Sequence, residues 1–326
     1  MVGSHLLDYL VEKTDWNIYG LRRWRSSTSN IQHHFDKDYF HSRVNLIEGD
    51  LLDSQSLLRV MKISKPDYIF HLAAQSFPTS SFIMPIQTLD TNVLGTARLL
   101  EAIRNSNLNP WVHICSSSEV FGQVKKQDLP INEYNKYQPA SPYAISKIGA
   151  DLLSIFYAEA YQIKTISTRM FTHTGPRRSE VFAESSFAKQ IALIEIGAIP
   201  PVVNVGNLNS VRTWADVRDA VRAYYILLTK DPNPGEVYNI GGNFTCTIGD
   251  MLNHLISIST FKGKIKVVEN RDLLRPLDAD LQIPDITKFV QKTGWAPKYT
   301  FAETMNDLMD YWRSSVINHK FETFWR

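Results

Sequence analysis

The chain has 326 residues, with 35 Lys plus Arg against 33 Asp plus Glu and 44% apolar residues. That is enough apolar material for one large domain or two sharing a core, and it excludes low-complexity disorder, a collagen-like repeat and a disulfide scaffold. The formal net charge of +2 supplies no basic field to hold nucleic acid, the one local exception being RRWR at Arg22 to Arg25. Cys115 and Cys246 stand without a CxxC pattern or clustered histidine and read as two buried free thiols of a reducing compartment. The nine histidines show no zinc-type spacing, so no metal is expected. Apolar runs such as Asp67 to Ala74 are too short to cross a membrane, and the first residues carry neither a basic segment nor a cleavage pattern. The expectation is a cytoplasmic protein without a membrane partner.

In chain order, Leu6, Leu7, Leu10 and Val11 line one face of a helix predicted from Ser4 to Lys13, with no strand before it. Trp16–Leu21 and Val44–Ile47 read as strands and Ser54–Ile63 as a helix. Tyr68–Ala73 (YIFHLA) and Trp111–Cys115 are near-continuous apolar runs, as buried parallel strands are. One helix is predicted from Ile86 to Ser106, with Leu89, Val93, Ala97 and Leu100 on one side. Another runs from Pro142 to Tyr161, with Pro142 suited to its first turn. Lys164–Arg169 is a further strand. Then come a helix at Phe187–Ile196, a break at Pro200-Pro201, a helix at Trp214–Lys230 and a strand at Glu236–Ile240. Short elements follow at 248–256, 265–268, 286–293 and 301–312.

Strands alternating with helices of this length imply right-handed crossovers and an α/β fold, a doubly wound parallel sheet of Rossmann type. A smaller C-terminal α/β domain is expected beside it. The expected division is 1–170 plus about 212–242 for the larger unit, and about 171–211 with 243–326 for the smaller.

Such sheets bind ligands beyond the carboxyl ends of their strands, and three polar clusters fall there. The first is Gly20-Leu21-Arg22-Arg23. Nicotinamide dinucleotide sites place an acid near this point for the ribose hydroxyls. Two guanidinium groups suit a 2′-phosphate instead, which biases the reading to NADP over NAD; a solvated basic turn is the plain alternative. The second cluster is Ser116-Ser117-Ser118-Glu119, directly after WVHIC, and the third is Tyr143-Ala-Ile-Ser-Lys147. A spacing of four puts Tyr143 and Lys147 on one helical face. An ammonium and an oxidised nicotinamide both favour the phenolate, so Tyr143 is expected to have a lowered pKa and to serve as acid/base, with Ser117 hydrogen-bonding the same oxygen. An ordinary surface pair is the alternative. Glu119 could remove a proton alpha to a new ketone, or could be a structural acid.

These motifs, with GSHLLDYL at Gly3, EGDLLD at Glu48, HLAAQS at His71, TNVLGTARLLEA at Thr91, SSSEVFG at Ser116, SPYAISK at Ser141, TRMFTHTGPRR at Thr168, VGNLNSVRTWADVRDAV at Val205, RPLDADLQIPD at Arg275 and TGWAPKYT at Thr293, span essentially the whole chain. Together they resemble the extended short-chain dehydrogenase/reductases, and within them the GDP-mannose 4,6-dehydratases and GDP-4-keto-6-deoxy-mannose reductases. The resemblance implies Ser117, Ser118, Glu119, Tyr143 and Lys147 as catalytic. It implies Gly3, Arg22, Arg23, Asp50, Leu51, Leu72, Ala73, Ala74 and His173 at the cofactor with Tyr143 and Lys147. Gln75, Ser76, Ser118, Thr172, Arg177, Lys189, Arg212 and Arg275 would meet a GDP-sugar, the last two its diphosphate. Thr172 stands where the family usually carries asparagine, and Ser117 where it carries threonine.

The dehydratase reading implies oxidation at sugar C4 with Tyr143 as base, loss of the C5 proton to Glu119 and of the C6 hydroxyl near Ser118, and return of hydride to C6. The PRR segment at Arg177 and Arg178 is dehydratase-like, whereas ADVRD and the short stretch between Val267 and Arg275 are reductase-like. A GDP-heptose 4,6-dehydratase or 4-dehydrogenase and a non-catalytic cofactor-binding protein are the further alternatives. A homodimer through the helices at 86–106 and 142–161 is implied, and a homotetramer in which Arg22 to Ser27 reach a neighbour's cofactor. The family opens with a strand and a G-x-x-G-x-x-G turn, of which Gly3 matches the third glycine. The expectation is a chain short of its first strand, marginal in folding and weak in cofactor binding.

Overall fold

The computed structural model describes residues 1–322, so the last four residues of the expected smaller domain, 323–326, lie outside the described residues. The chain opens on α1 (Val2–Lys13), followed by β1 (Ile18–Arg22), β2 (Val44–Glu48), α2 (Ser54–Ser64) and β3 (Tyr68–His71). Two short helices, α3 (Pro78–Ile83) and α4 (Pro85–Leu89), lead through a π-helical turn at Asp90–Leu94 into α5 (Gly95–Arg104). Then come β4 (Trp111–Cys115), α6 (Pro142–Tyr161), β5 (Thr165–Met170), β6 (His173–Thr174), α7 (Ala183–Glu195), β7 (Val202–Val205), β8 (Val211–Asp216) and α8 (Val217–Thr229). The remainder is β9 (Val237–Ile240), β10 (Phe244–Thr247), α9 (Ile248–Ser257), β11 (Lys266–Glu269), β12 (Leu281–Gln282), α10 (Thr287–Thr293) and α11 (Phe301–Glu322).

The parallel strands of the expected larger unit form two separate ladders. One runs β3-β4-β5-β9 and the other pairs β1 with β2. Among the described residues no strand bridges β1 to β3, and the two ladders meet through side chains: Trp16 stacks on Tyr68 with ring centroids 4.6 Å apart. Leu6 and Leu10 of α1 pack with Ile18, Phe70, Leu72 and Val221 at this junction. A third sheet, β10-β8-β12 with β6 beside β8, and a pair β7-β11 complete the architecture.

The apolar cores follow the sheets. One gathers around β4, α2, α5 and α6; a second lies between β5, β9 and α8; a third is built from α7, α9 and α11 against β7 and Trp214. Helix starts are set by local chemistry. Asp53 accepts the Gln55 N–H, Ser141 the Ala144 N–H and Asp216 the Arg218 N–H, while Thr247 and Asp250 form a capping box. No described helix is long and apolar enough to cross a membrane. Cys115 and Cys246 are free and half-buried rather than fully buried.

Two predicted helices are corrected. The helix expected at Ile86–Ser106 is interrupted by the π-turn, which adds a residue to one turn and rotates Asn92 inward. Gly95 follows because a Cβ there would lie 3.0 Å from Leu51 Cβ. Trp214 to Asp216, expected as the start of a helix, finish β8, and the helix begins only where Asp216 caps it.

α6 is fixed to β5 by a buried ion pair. Arg169 Nε donates to Asp151 Oδ2 at 2.8 Å, Arg169 also donates to the Tyr137 hydroxyl and the Glu133 carbonyl, and Ser167 donates to Asp151 Oδ1. Removing one partner strands a buried charge. Arg169→Met is expected to lower folding stability by about 3–5 kcal/mol, measured as a reduced urea midpoint; an unchanged midpoint would contradict this account of the helix.

Candidate active site

β4 ends at Cys115 and hands the chain to Ser116, Ser117, Ser118 and Glu119. Ser117 is extended and accepts the Glu119 N–H at 3.2 Å, which starts a single 3-10 turn at Ser118–Phe121. Gly122 closes it at φ +54, where a Cβ would fall 1.6 Å from the Gln138 carbonyl oxygen, so no other residue fits. Ser117 and Ser118 are thereby buried at the carboxyl end of the sheet, with Glu119 half-buried beside them.

α6 brings the other half of the site. Tyr143, Lys147 and Asp151, four residues apart, share its inward face. The Tyr143 hydroxyl lies near Ser117, whose hydroxyl favours the phenolate, and Lys147 Nζ donates to the Cys115 carbonyl at 2.7 Å, with Nζ 5.9 Å from the Tyr143 ring centroid. Burial raises the Tyr143 pKa above the ordinary tyrosine value; the Ser117 hydroxyl and the Arg178 charge oppose that, while Cys115 and Glu119 add to it. Burial likewise pulls the Lys147 pKa down. The expected lowering of the Tyr143 pKa is therefore corrected for the protein by itself: both groups are driven towards their neutral forms.

Asn92 is a residue the sequence reading missed. It is buried, donates to the Gln75 carbonyl at 2.9 Å and to Ser146 Oγ at 2.8 Å, and accepts the Gln75 N–H. It thus ties the loop after β3 to α6. Gln75 folds back on Phe77, with Ser76 and Ala73 exposed and Leu72 and Ala74 half-buried in that loop. His71 is bonded to Thr96 at 3.0 Å and driven by burial to a pKa of about 3.

The remaining predicted residues separate into places. Gly3 lies in the first turn of α1, where a Cβ would meet nothing within 4 Å. Arg22 ends β1 and reaches Glu48 at 3.3 Å, and its Nε is buried without a partner among the described residues. Arg23 is exposed next to it. Asp50 accepts the Leu52 N–H, and Leu51 is buried. His173 lies in β6, held by the Phe171 carbonyl and lowered by burial to a pKa of about 4, with Thr172 just before it accepting the Ala215 N–H.

Arg212 and Arg275 converge on one carboxylate. Both reach Asp278 Oδ1, at 3.5 and 3.3 Å. Asp278, which the sequence reading did not single out, holds the two guanidinium groups together. Lys189 is paired with Glu180. Arg177 does not join this cluster: at φ +67 it turns towards α1 and pairs with Asp8 at 2.6 Å. Its neighbour Arg178 is the one whose charge reaches Tyr143 and His173, with its guanidinium 3.4 Å from the Phe182 ring centroid.

A family model described as GDP-mannose 4,6 dehydratase matches residues 1–308. This chain belongs to that family. GDP-mannose 4,6-dehydratases of Yersinia enterocolitica and Homo sapiens are each 30% identical to it, both over 94% of this chain and over 90% and 87% of their own lengths. The GDP-mannose 4,6 dehydratase of Drosophila melanogaster is 31% identical over 94% of this chain and 82% of its own. Among solved structures, RMD from Pseudomonas aeruginosa complexed with NADPH is 27% identical, with a TM-score of 0.80 over 97% of this chain and 96% of that one. A UDP-glucose 4-epimerase of Thermotoga maritima, 24% identical, shares the fold at a TM-score of 0.83, covering 97% and 96% of the two chains. The dehydratase family membership is favoured over the reductase, heptose and non-catalytic alternatives.

Burial raises the folded-state pKa of Tyr143, so its phenol stays protonated as pH rises through 10.0, the ordinary value. In the protein alone, the ¹³C-tyrosine signal assigned by Tyr143→Phe is expected to titrate above that value, and higher still in Ser117→Ala. Phenolate at lower pH would contradict the assignment of causes.

Proposed function

We propose that this chain is an NADP-dependent GDP-mannose 4,6-dehydratase. The observation that carries the reading is the meeting of Ser117, Glu119, Tyr143 and Lys147 at the carboxyl end of β4, in a chain of this family. The residues present fit a nicotinamide cofactor at both ends. Arg22, with its unpartnered Nε, and exposed Arg23 suit a 2′-phosphate, which favours NADP over NAD. Open space at Gly3 leaves room beside the first turn of α1, and Tyr143 and Lys147 stand where the nicotinamide ribose is expected. Asp50, Leu51, the Leu72–Ala74 loop and His173 complete that expectation. When bound, the oxidised nicotinamide supplies a hydride acceptor, the hydride that is later returned, and a positive charge.

The chain's own groups handle the protons. Tyr143, as its phenolate, takes the proton of the sugar C4 hydroxyl at Oη and is left a neutral phenol, with Ser117 near the same oxygen to favour the phenolate before the transfer. Lys147, on the same helical face as Tyr143 and held by the Cys115 carbonyl at the end of β4, favours the Tyr143 phenolate when protonated. Glu119 takes the C5 proton, which the C4 ketone has acidified, and passes it to the C6 hydroxyl, which leaves as water beside Ser118 Oγ. The net change is loss of one water, giving a 4-keto-6-deoxy sugar. Arg212 and Arg275 hold the diphosphate, which takes over from Asp278 as their anion. Gln75, Ser76, Thr172 and Lys189 line the sugar and nucleotide path. The smaller domain of the proposed division supplies Arg275 and Lys189, and the core around α7, α9 and α11 is its interior.

GDP-mannose incubated with catalytic NADP is expected to yield a product lighter by one water. Tyr143→Phe should reduce the rate by about 10²–10⁴-fold, and Glu119→Gln should leave C4 oxidation but stop the water loss. A folded protein that forms no such product would sink the dehydratase reading.

The assembly on this reading is a homodimer through α6 and the α4–α5 region. Ile86, Leu94, Ile145, Leu152 and Phe156 are each at least half exposed there. A stable interface needs about 1,200–2,000 Å², and two helices from each copy supply it. Light scattering is expected to give a dimer that Leu152→Glu with Phe156→Glu converts to monomer. Tetramer formation through Arg22 to Ser27 would respond to NADP, and an unchanged dimer counts against it.

A further inference from the structure

Asp8 meets the adjacent pair His33 and His34, 25 and 26 residues further along, in a pattern that matches no zinc spacing. Asp8 lies on α1, and the two histidines lie in a 3-10 turn at Ser29–His34 in the long β1–β2 connection. Both Nε2 atoms are 2.8 Å from one oxygen, Asp8 Oδ1. One ligand atom from each residue lies within 4.8 Å of the other two. We infer that these three side chains form a binding site for a divalent first-row cation of zinc type, clipping the β1–β2 connection to α1.

The donor set is the right kind, since imidazole nitrogens and one carboxylate oxygen suit Zn²⁺. The size is right too. Zn–N and Zn–O bonds of about 2.0–2.1 Å in a tetrahedron set neighbouring donors about 3.3 Å apart, so each of the two His–Asp pairs need open by only about half an ångström. The surroundings are those of a built site. His34 is 3% exposed, and its Nδ1 lies 2.7 Å from the Tyr39 hydroxyl. With Nε2 on a metal, that Nδ1–H donates to the Tyr39 oxygen, which fixes the tautomer and the ring plane. Asp8 Oδ2 is held by Arg177 at 2.6 Å, which leaves Oδ1 as the metal-facing oxygen.

His5 faces Asp8 from the same helix at 4.0 Å, and Arg177 stands against the cluster with its charge directed at Oδ2. His33 is half exposed, so the fourth position opens to solvent and a water. The clip would order the connection that carries Arg22 to Arg25 and, through Asp8, the turn that carries Arg177.

The full chain is dialysed against a chelator and then titrated with Zn²⁺ alone, with metal measured by mass spectrometry and competition with a coloured chelator. One saturable Zn²⁺ per chain is expected. Tyr39→Phe should bind about tenfold more weakly, and His33→Gln and Asp8→Asn should bind no Zn²⁺ at this site. Co²⁺ in place of Zn²⁺ should give visible absorption of a low-coordinate nitrogen–oxygen site, and amide exchange in residues 29–43 should slow on metal addition. His33 is solvent-facing, so its variant keeps the fold even if Asp8→Asn does not. Absence of saturable uptake, or uptake unchanged in His33→Gln, overturns the inference.

Discussion

The buried pair of Asp151 and Arg169 is the constraint on which the catalytic geometry rests. Asp151 follows Tyr143 and Lys147 at four-residue intervals on α6, so fixing it fixes all three. Burying two charges costs several kcal/mol each, and their attraction offsets this only when the remaining hydrogen-bonding capacity is filled. Here it is filled. Arg169 spends its donors on Asp151, Tyr137 and the Glu133 carbonyl, and Asp151 also accepts from Ser167 and Tyr137. Glu133 in turn accepts the Asn239 N–H of β9 at 2.8 Å. The network therefore joins α6, β5, β9 and the loop before α6. Its value lies in registration, because a helix slid by one residue would leave both charges unpaired and carry Tyr143 away from Ser117.

Around that registered helix the site stores groups in the charge state opposite to the one the chemistry needs. Burial disfavours both the Tyr143 phenolate and the Lys147 ammonium. A cation bound beside Tyr143 would favour its phenolate, and negative charge on that oxygen would favour the Lys147 ammonium, so proton transfer is coupled to ligand binding rather than running freely. The diphosphate region follows the same logic. Arg212 and Arg275 are kept together by Asp278, an internal anion that a substrate anion can replace without first gathering the guanidinium groups. In both places the protein holds a substitute partner that keeps the geometry before substrate arrives.

Much of this was legible in the sequence. The parallel strands Tyr68–His71 and Trp111–Cys115 lie inside the apolar runs, though Tyr68, Ile69 and Phe70 are half-buried rather than buried as expected, and α6 begins at the proline expected to begin it. SSSE and YxxxK are local motifs whose spacing carries their geometry, so Ser117 and Tyr143 could be paired before any coordinates. What escaped is set by tertiary contacts. Asn92 does its work only because a π-turn rotates it towards Gln75 and Ser146, and periodicity cannot register one inserted residue. Trp214 continues the apolar pattern of α8, yet strand pairing with Phe244 claims it. Arg177 and Arg178 are adjacent, and only the left-handed backbone at Arg177 decides which one faces Tyr143. Among the described residues no strand pairs with both β1 and β3, and side-chain packing of Trp16 on Tyr68 spans that junction.

The central claim is that Tyr143, Glu119 and Ser118 act in succession on one bound sugar, with hydrogen moving from C4 to C6 inside a single active site. GDP-mannose carrying deuterium at C4 tests it most directly, with the product analysed by mass spectrometry and NMR. The account predicts deuterium retained at C6 of a 4-keto-6-deoxy product, with one solvent-derived hydrogen at C5. Deuterium lost to solvent or accumulated on the nicotinamide, or a 4-keto product that keeps its C6 hydroxyl, would contradict it.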